Sequence, residues 1–205
     1  MRAVSNPVVR AGRLYFATRN REKLAEVQAI LASYGLTVYM LRARKMEIQS
    51  SSLREIALRA ALQIAESNKA PVLVEDTGLF IEALKGFPGP YSSFVYRTIG
   101  NEGILNLMKG ERNRAAVFRS AVAFSPRPGE AHVFLGQIRG RVAASEKGKR
   151  WGYDPIFEPD GEEGLTYAEL RKSRKNQISH RSKAFRRFAK WYLGETSMRA
   201  VSSRS

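Results

Sequence analysis

The chain has 205 residues, long enough for one large domain or two lobes, and its 43% hydrophobic content is that of an ordinary globular protein with no run long enough to span a membrane. Zero cysteines exclude disulfides, a thiolate nucleophile and cysteine-held metal, and two histidines, His132 and His180, argue against a histidine-rich zinc site. Thirty-five Lys and Arg against 19 Asp and Glu give a net charge of +16, which suits a polyanion, either nucleic acid or a small triphosphate.

Residues 1–12 are polar, lack periodicity and lack the apolar core of a secretory leader, so they read as a flexible extension of a cytoplasmic protein. Residues 14–18 read as an apolar strand. A helical pattern starts at Glu22, with Leu24, Val27 and Leu31 on one face. Between them lies Thr18-Arg19-Asn20-Arg21-Glu22-Lys23. A strand entering a helix N-terminus offers free backbone N–H groups and a positive dipole end to an anion. Thr18 and Asn20 add donors, and Lys23 can neutralise phosphate. The glycines of a Walker loop are missing, and the segment equally reads as an Asn-capped helix.

Residues 36–41 read as a second strand. Ser52-Leu53-Arg54-Glu55 is a capping box, and Leu53, Ile56, Ala57, Ala60, Ala61 and Ile64 form a helical stripe behind it. Pro71-Val72-Leu73-Val74 reads as a buried strand ending at 76, with another over 79–84. Glu75-Asp76-Thr77-Gly78-Leu79 then sits where a strand leaves its sheet, the usual place for a ligand in an open α/β sheet. Two adjacent carboxylates there need a cation or hydrogen bonds to offset desolvation. Mg²⁺ fits, because it takes few carboxylates and shares its remaining positions with water and phosphate. Asp-Thr-Gly is also good turn chemistry.

Residues 86–90 form a rigid turn and 99–108 a helix. Residues 114–124 and 132–142 read as two long antiparallel strands joined by a hairpin-like connection. In Trp151-Gly152-Tyr153-Asp154-Pro155-Ile156-Phe157, glycine lets the chain bend between two rings that suit either a nucleobase or the core. Thr166-Tyr167-Ala168-Glu169 is a second capping box, expected to open a short helix. Ser179 caps a final helix whose apolar face is Phe185, Phe188 and Tyr192. His180 and Arg181 in its first turn oppose the macrodipole, as donors to an acceptor ligand or as a solvated basic face. Ten basic residues against one acid lie in 171–199. Residues 195–205 read as a flexible basic tail.

The order β-α-β-α-β, then paired long strands, then helices, predicts an α/β fold. We expect an elongated mixed central sheet in two lobes with flanking helices and an inter-lobe active-site cleft, one domain over 13–194. No nucleic-acid module accompanies the charge, so at most a non-specific, salt-sensitive nucleic-acid affinity is expected.

Five segments in order resemble the inosine triphosphate pyrophosphatase family. They are Thr18 to Lys23, Glu47-Ile48-Gln49, the Glu75 to Leu79 segment with Gly86-Phe87-Pro88-Gly89-Pro90-Tyr91-Ser92, the Trp151 to Phe157 segment, and Ser179-His180-Arg181. The resemblance covers about 14–193. It implies hydrolysis of ITP, dITP and XTP to monophosphate and pyrophosphate, by Mg²⁺-dependent attack of water at the α-phosphorus, in a cytoplasmic homodimer with no membrane attachment. It implies that Asp76 accepts the water's proton, and that Asp76 and Glu47 hold Mg²⁺ with Glu75 close by. Thr18, Asn20, Lys23 and Lys175 would then serve the phosphates, with Arg19, Arg21, Glu22 and Thr77 also among the substrate-binding residues. Trp151, Gly152, Tyr153, Asp154, His180 and Arg181 would form the base pocket, His180 and Arg181 donating to the 6-oxo group. The chain departs from the family twice. Arg19 stands where the family has Gly, and no Lys follows the Glu47 segment on the next helix, where Arg59 is the nearest cation. Two other readings are a nucleic-acid-binding protein and a pyrophosphatase acting on pyrimidine or modified nucleotides.

Overall fold

A computed structural model describes residues 13–46 and 48–202, with side chains up to 194. Glu47 and the expected extension over 1–12 lie outside the described residues. The elements, in order, are β1 (Leu14–Ala17), α1 (Arg21–Ala32), β2 (Val38–Leu41), α2 (Leu53–Asn68), β3 (Val72–Ile81), β4 (Pro88–Gly89), α3 (Ser92–Thr98), α4 (Gly100–Leu107), β5 (Ala115–Arg127), β6 (Glu130–Val142), β7 (Phe157–Pro159), α5 (Lys172–Ile178) and α6 (His180–Ser202). The strands form one mixed sheet in the order β2-β1-β3-β5-β6-β7, with β4 paired to β3.

Side chains alternate across a strand, and here the alternation divides the core. On one face Leu73, Val122 and Phe124 pack under α1 and α6 with Phe16, Phe185 and Phe188. Further along the same face Leu79, Ile81, Phe118 and Ile138 pack with α3, α4 and Tyr167. Each such side chain, fully buried, contributes about 1.5–3 kcal/mol. Between the two clusters the same rows carry Glu75 and Thr77 on β3, Ser120 on β5 and Gly136 on β6. That polar belt separates the two lobes. The opposite face is covered by α2, whose Ala57, Ala60, Ala61 and Ile64 pack against Val72, Val74, Ala121 and Ala123.

Two features differ from the sequence expectation in this region. Strands 72–76 and 79–84 are one ten-residue strand, β3, so the acidic pair lies mid-strand. What changes is its neighbour. β5 pairs along the whole of β3, whereas on the other edge β1 reaches Leu73 and β4 begins at Leu79. Residues 74–78 therefore face an open edge, and the acids sit in a gap within the sheet.

Elsewhere the local chemistry holds with adjusted limits. Asn20 caps α1 by accepting from the amides of Glu22 and Lys23, and Ser52 caps α2 through Glu55. Thr166 and Glu169 close their box at 2.8 and 3.0 Å, yet only one turn follows, and α5 begins at Lys172. Residues 99–108 form a helix as expected, but it is preceded by α3. The backbone of α6 stays helical to Ser202, through most of the expected tail. Gly136 lets α6 cross β6 closely, since a Cβ there would overlap the His180 carbonyl and the Ala184 amide.

Candidate active site

The belt between the lobes gathers charge. Glu75 and Asp76 are consecutive in a strand and so point to opposite faces, each with its own cation. Glu75 is fully buried. Its Oε1 accepts from Arg181 Nε at 2.9 Å and Ser120 Oγ at 2.8 Å. Its Oε2 faces Lys23 Nζ at 3.3 Å in an ion pair whose alignment falls short of a hydrogen bond. Burial would raise this carboxyl, but Arg181 and then Lys23 more than reverse it, leaving it well below the usual carboxylate range. Asp76 Oδ1 accepts from Lys45 Nζ at 3.0 Å, while Oδ2 is buried without a hydrogen bond. Here burial outweighs Lys45, and the carboxyl titrates above its ordinary value.

Arg181 and Lys175 are buried and tied into one network. Arg181 Nη1 donates to Glu26, and Lys175 Nζ bridges Glu26 at 2.7 Å and Asp154 at 2.5 Å. Both cations approach the Trp151 ring, each 5.5 Å from its centroid. Arg181 has Nε and Nη1 committed to carboxylates and still borders the cavity described below. Lys175 is held between two acids beside the Trp151 ring.

His180 is different. Its ring stacks on Phe118 at 4.4 Å and 9°, and neither nitrogen has a hydrogen-bond partner although both are buried. Burial, then Arg181, push its pKa well below the usual value, so the imidazole is neutral. It borders a cavity of about 350 Å³ lined also by Asn20, Lys23, Thr77, Trp151, Gly152, Tyr153, Asp154 and Arg181. Gly152 has φ of 67°, the left-handed turn that lets Trp151 and Tyr153 flank this space. Thr18 accepts from the Asn20 amide and Asn20 caps α1, which leaves their donor hydrogens for a ligand. Arg19, Arg21 and Glu22 are exposed beside this turn and do not line the cavity.

Sequence reasoning missed Glu26, Lys45, Phe118 and Ser120. Glu26 stands three residues after Lys23 and four before buried Ile30, an acid beside an apolar stripe. Ser120 breaks the apolar alternation of β5. Ala60 is fully buried and Arg59 exposed, so neither replaces the missing helix Lys. Among the described residues, no group of three or more acids and histidines could hold a metal. A second hollow of about 750 Å³ runs from the start of α2 to α6; its lining includes Arg54, Arg119, Lys183 and Arg187 and no acid.

The Ham1 family model matches residues 14–191. A dITP/XTP pyrophosphatase of Methanopyrus kandleri is 52% identical over 181 residues, covering 88% of this chain and 96% of that protein. A HAM1 protein from Coxiella burnetii has a TM-score of 0.77 at 27% identity, covering 89% of this chain and 98% of the other. A nucleoside-triphosphatase, dITP/XTP pyrophosphatase, from Mycobacterium abscessus gives 0.68 at 29%, covering 86% and 97%. A match along nearly the whole fold, with the belt residues inside it, means that this chain is a member of the Ham1 family.

Proposed function

We infer that this chain hydrolyses deaminated purine nucleoside triphosphates, dITP, ITP and XTP, to the monophosphate and pyrophosphate. The observation that carries the reading is the neutral, unpartnered His180 ring on the wall of an aromatic cavity next to the Thr18 to Lys23 turn. A neutral imidazole offers one donor and one acceptor. With its N–H held toward the 6-position, it pairs with a 6-oxo purine and is left unpaired against the 6-amino group of adenine. A site built on a hydrogen bond rejects the analogue lacking it more strongly than an apolar pocket does. Trp151 supplies a ring face for the base, with Lys175 and Arg181 each 5.5 Å from its centroid.

The turn at 18–23 and Lys23 bind the triphosphate through the donor hydrogens of Thr18 and Asn20, the α1 dipole and charge. Asp76 accepts the proton of the attacking water. The water oxygen bonds to the α-phosphorus as the bond to the bridging oxygen of pyrophosphate breaks. Glu75 fixes Arg181 and takes no part in the proton transfer. Buried Asp76 Oδ2 lacks a partner, and a hard oxygen donor fits Mg²⁺, so Asp76 with Glu47 would hold that ion. Bound there, it would neutralise phosphate charge and acidify a coordinated water. No helix among the described residues is long and apolar enough to cross a membrane. Exposed Phe87, Tyr91, Phe94 and Ile99 support a homodimer, and the lack of cysteine supports a cytoplasmic setting.

Pyrophosphate release with Mg²⁺ from dITP, ITP, XTP, ATP, GTP and pyrimidine triphosphates tests the reading. The deaminated substrates dITP, ITP and XTP should lead, over ATP and over GTP, which shares their 6-oxo group and adds a 2-amino group. Asp76→Asn should lose at least about two orders of magnitude in turnover with its melting temperature kept. Near-normal turnover would refute the assignment of Asp76. Preference for pyrimidine substrates, or no release from any, would refute the substrate class.

A further inference from the structure

Resting on the reading of Asp76 as metal ligand and proton acceptor, a second cation at that acid demands a role. Lys45 Nζ lies 3.0 Å from Asp76 Oδ1, with side chains only 22% and 18% exposed. It comes from the segment between β2 and α2, far in sequence from the acid it meets. The described residues of that segment form no helix or strand, yet Gln63 on α2 clamps it on both sides of Lys45. Met46 N donates to Gln63 Oε1 at 3.0 Å, and Gln63 Nε2 donates to Arg44 O at 3.3 Å. The backbone at Lys45 is thus fixed, while its four-carbon stem can swing the ammonium without moving the loop. Glu47 follows two residues later in sequence.

We propose that Lys45 is the resident counter-ion of Asp76, displaced when a divalent cation binds, and that the released ammonium then pairs with a phosphate oxygen. Two like charges at one carboxylate repel each other steeply at such distances. Lys45 therefore pairs with Asp76 while the site is empty, and it weakens metal binding until a triphosphate gives the ammonium somewhere to go. Metal and substrate then bind cooperatively through one lysine. Lys45 is a positioning residue in the free protein and a phosphate ligand in the complex.

The test measures Mn²⁺ binding to nucleotide-free protein by electron paramagnetic resonance of the unbound ion, in wild type, Lys45→Met, Lys45→Arg and Asp76→Asn. Lys45→Met should bind Mn²⁺ roughly fivefold more tightly, the factor expected for losing a competing pair of about 1 kcal/mol, and Lys45→Arg should stay near wild type. At saturating metal, Lys45→Met should raise KM for ITP several-fold with kcat nearly unchanged. Unchanged or weaker Mn²⁺ affinity in Lys45→Met would overturn the displacement. An unchanged KM would overturn the phosphate role. Wild-type Mn²⁺ affinity in Asp76→Asn would instead sink the metal assignment itself, whatever the lysine variants do. Lys45 lies outside the apolar clusters, so Lys45→Met should fold, and a melting temperature measured with and without Mn²⁺ checks this.

Discussion

Replacing His180 with Phe separates what the ring does for the fold from what its nitrogens do for the ligand. Phe keeps the stack on Phe118 at 4.4 Å and removes two buried nitrogens that have no protein partner. A buried unpaired polar group costs about 1–3 kcal/mol. The variant should therefore be at least as stable as wild type. In a chain of this size each kcal/mol gained raises the melting temperature by about 2–4 °C. Activity should move the other way. Loss of a neutral hydrogen bond to the 6-oxo group costs about 0.5–1.5 kcal/mol on ITP, whereas ATP meets a donor already unpaired in the free protein and should lose little. The ratio of kcat/KM for ITP over ATP should then fall about two- to twelvefold. The neutral state adds a pH signature. Because the folded-state pKa is depressed below 6.5, the unfolded chain takes up the proton first on acidification, and wild type loses stability as pH falls below 6.5. The Phe variant lacks that loss, so its stability advantage should widen towards pH 5. Calorimetry and a coupled pyrophosphate assay read both effects. A melting temperature several degrees lower would show that the nitrogens have partners. Equal proportional losses on ITP and ATP would show that His180 does not read the base.

Glu75, held below its ordinary value of 4.5 by Arg181 and Lys23, contributes stability that is present above 4.5 and lost as pH falls through its folded-state value. Urea titrations between pH 6 and 3 should give Glu75→Gln a shallower acid dependence than wild type, by up to about 1.4 kcal/mol per pH unit; parallel slopes would refute the ion pair. Arg54→Gln with Lys183→Gln, in the basic hollow, which shares no lining residue with the His180 cavity, should leave ITP hydrolysis unchanged. It should also flatten the salt dependence of duplex DNA affinity by a slope of about 1.8, two phosphate contacts' worth. An unchanged slope would place the polyanion contact elsewhere, and site preference persisting at high salt would favour a nucleic-acid-binding role.

Much of the site was legible because its parts are local. The Asn20 cap, the Ser52 cap and Ser179 ahead of His180 each follow from residues within one turn, and the structure brings these segments to one belt. The long hairpin was legible from its alternation. What sequence concealed was the reason for polarity inside β3. Glu75 to Gly78 look like a turn because turn and open sheet edge favour the same small and acidic residues; only the partners of β3, which arrive from β1 and β4, distinguish the two. The separation of the carboxylates onto opposite faces follows once the strand is known to be continuous. Glu26 escaped because its partner Arg181 is 155 residues away, and an ion pair of that span leaves no local trace. Lys45 escaped because its neighbours carry no periodicity.

Gly136 touches no ligand, yet α6 rests on it through the His180 carbonyl. Any side chain there would lift the start of the helix, and both His180 and Arg181 would move with it as a rigid unit. The stacking distance to Phe118 and the pairing with Glu75 are thus set by how closely two backbones approach. On the reading of His180 proposed above, discrimination among purines becomes a mechanical tolerance, set by the thickness of a helix–sheet contact as much as by the chemistry of an imidazole.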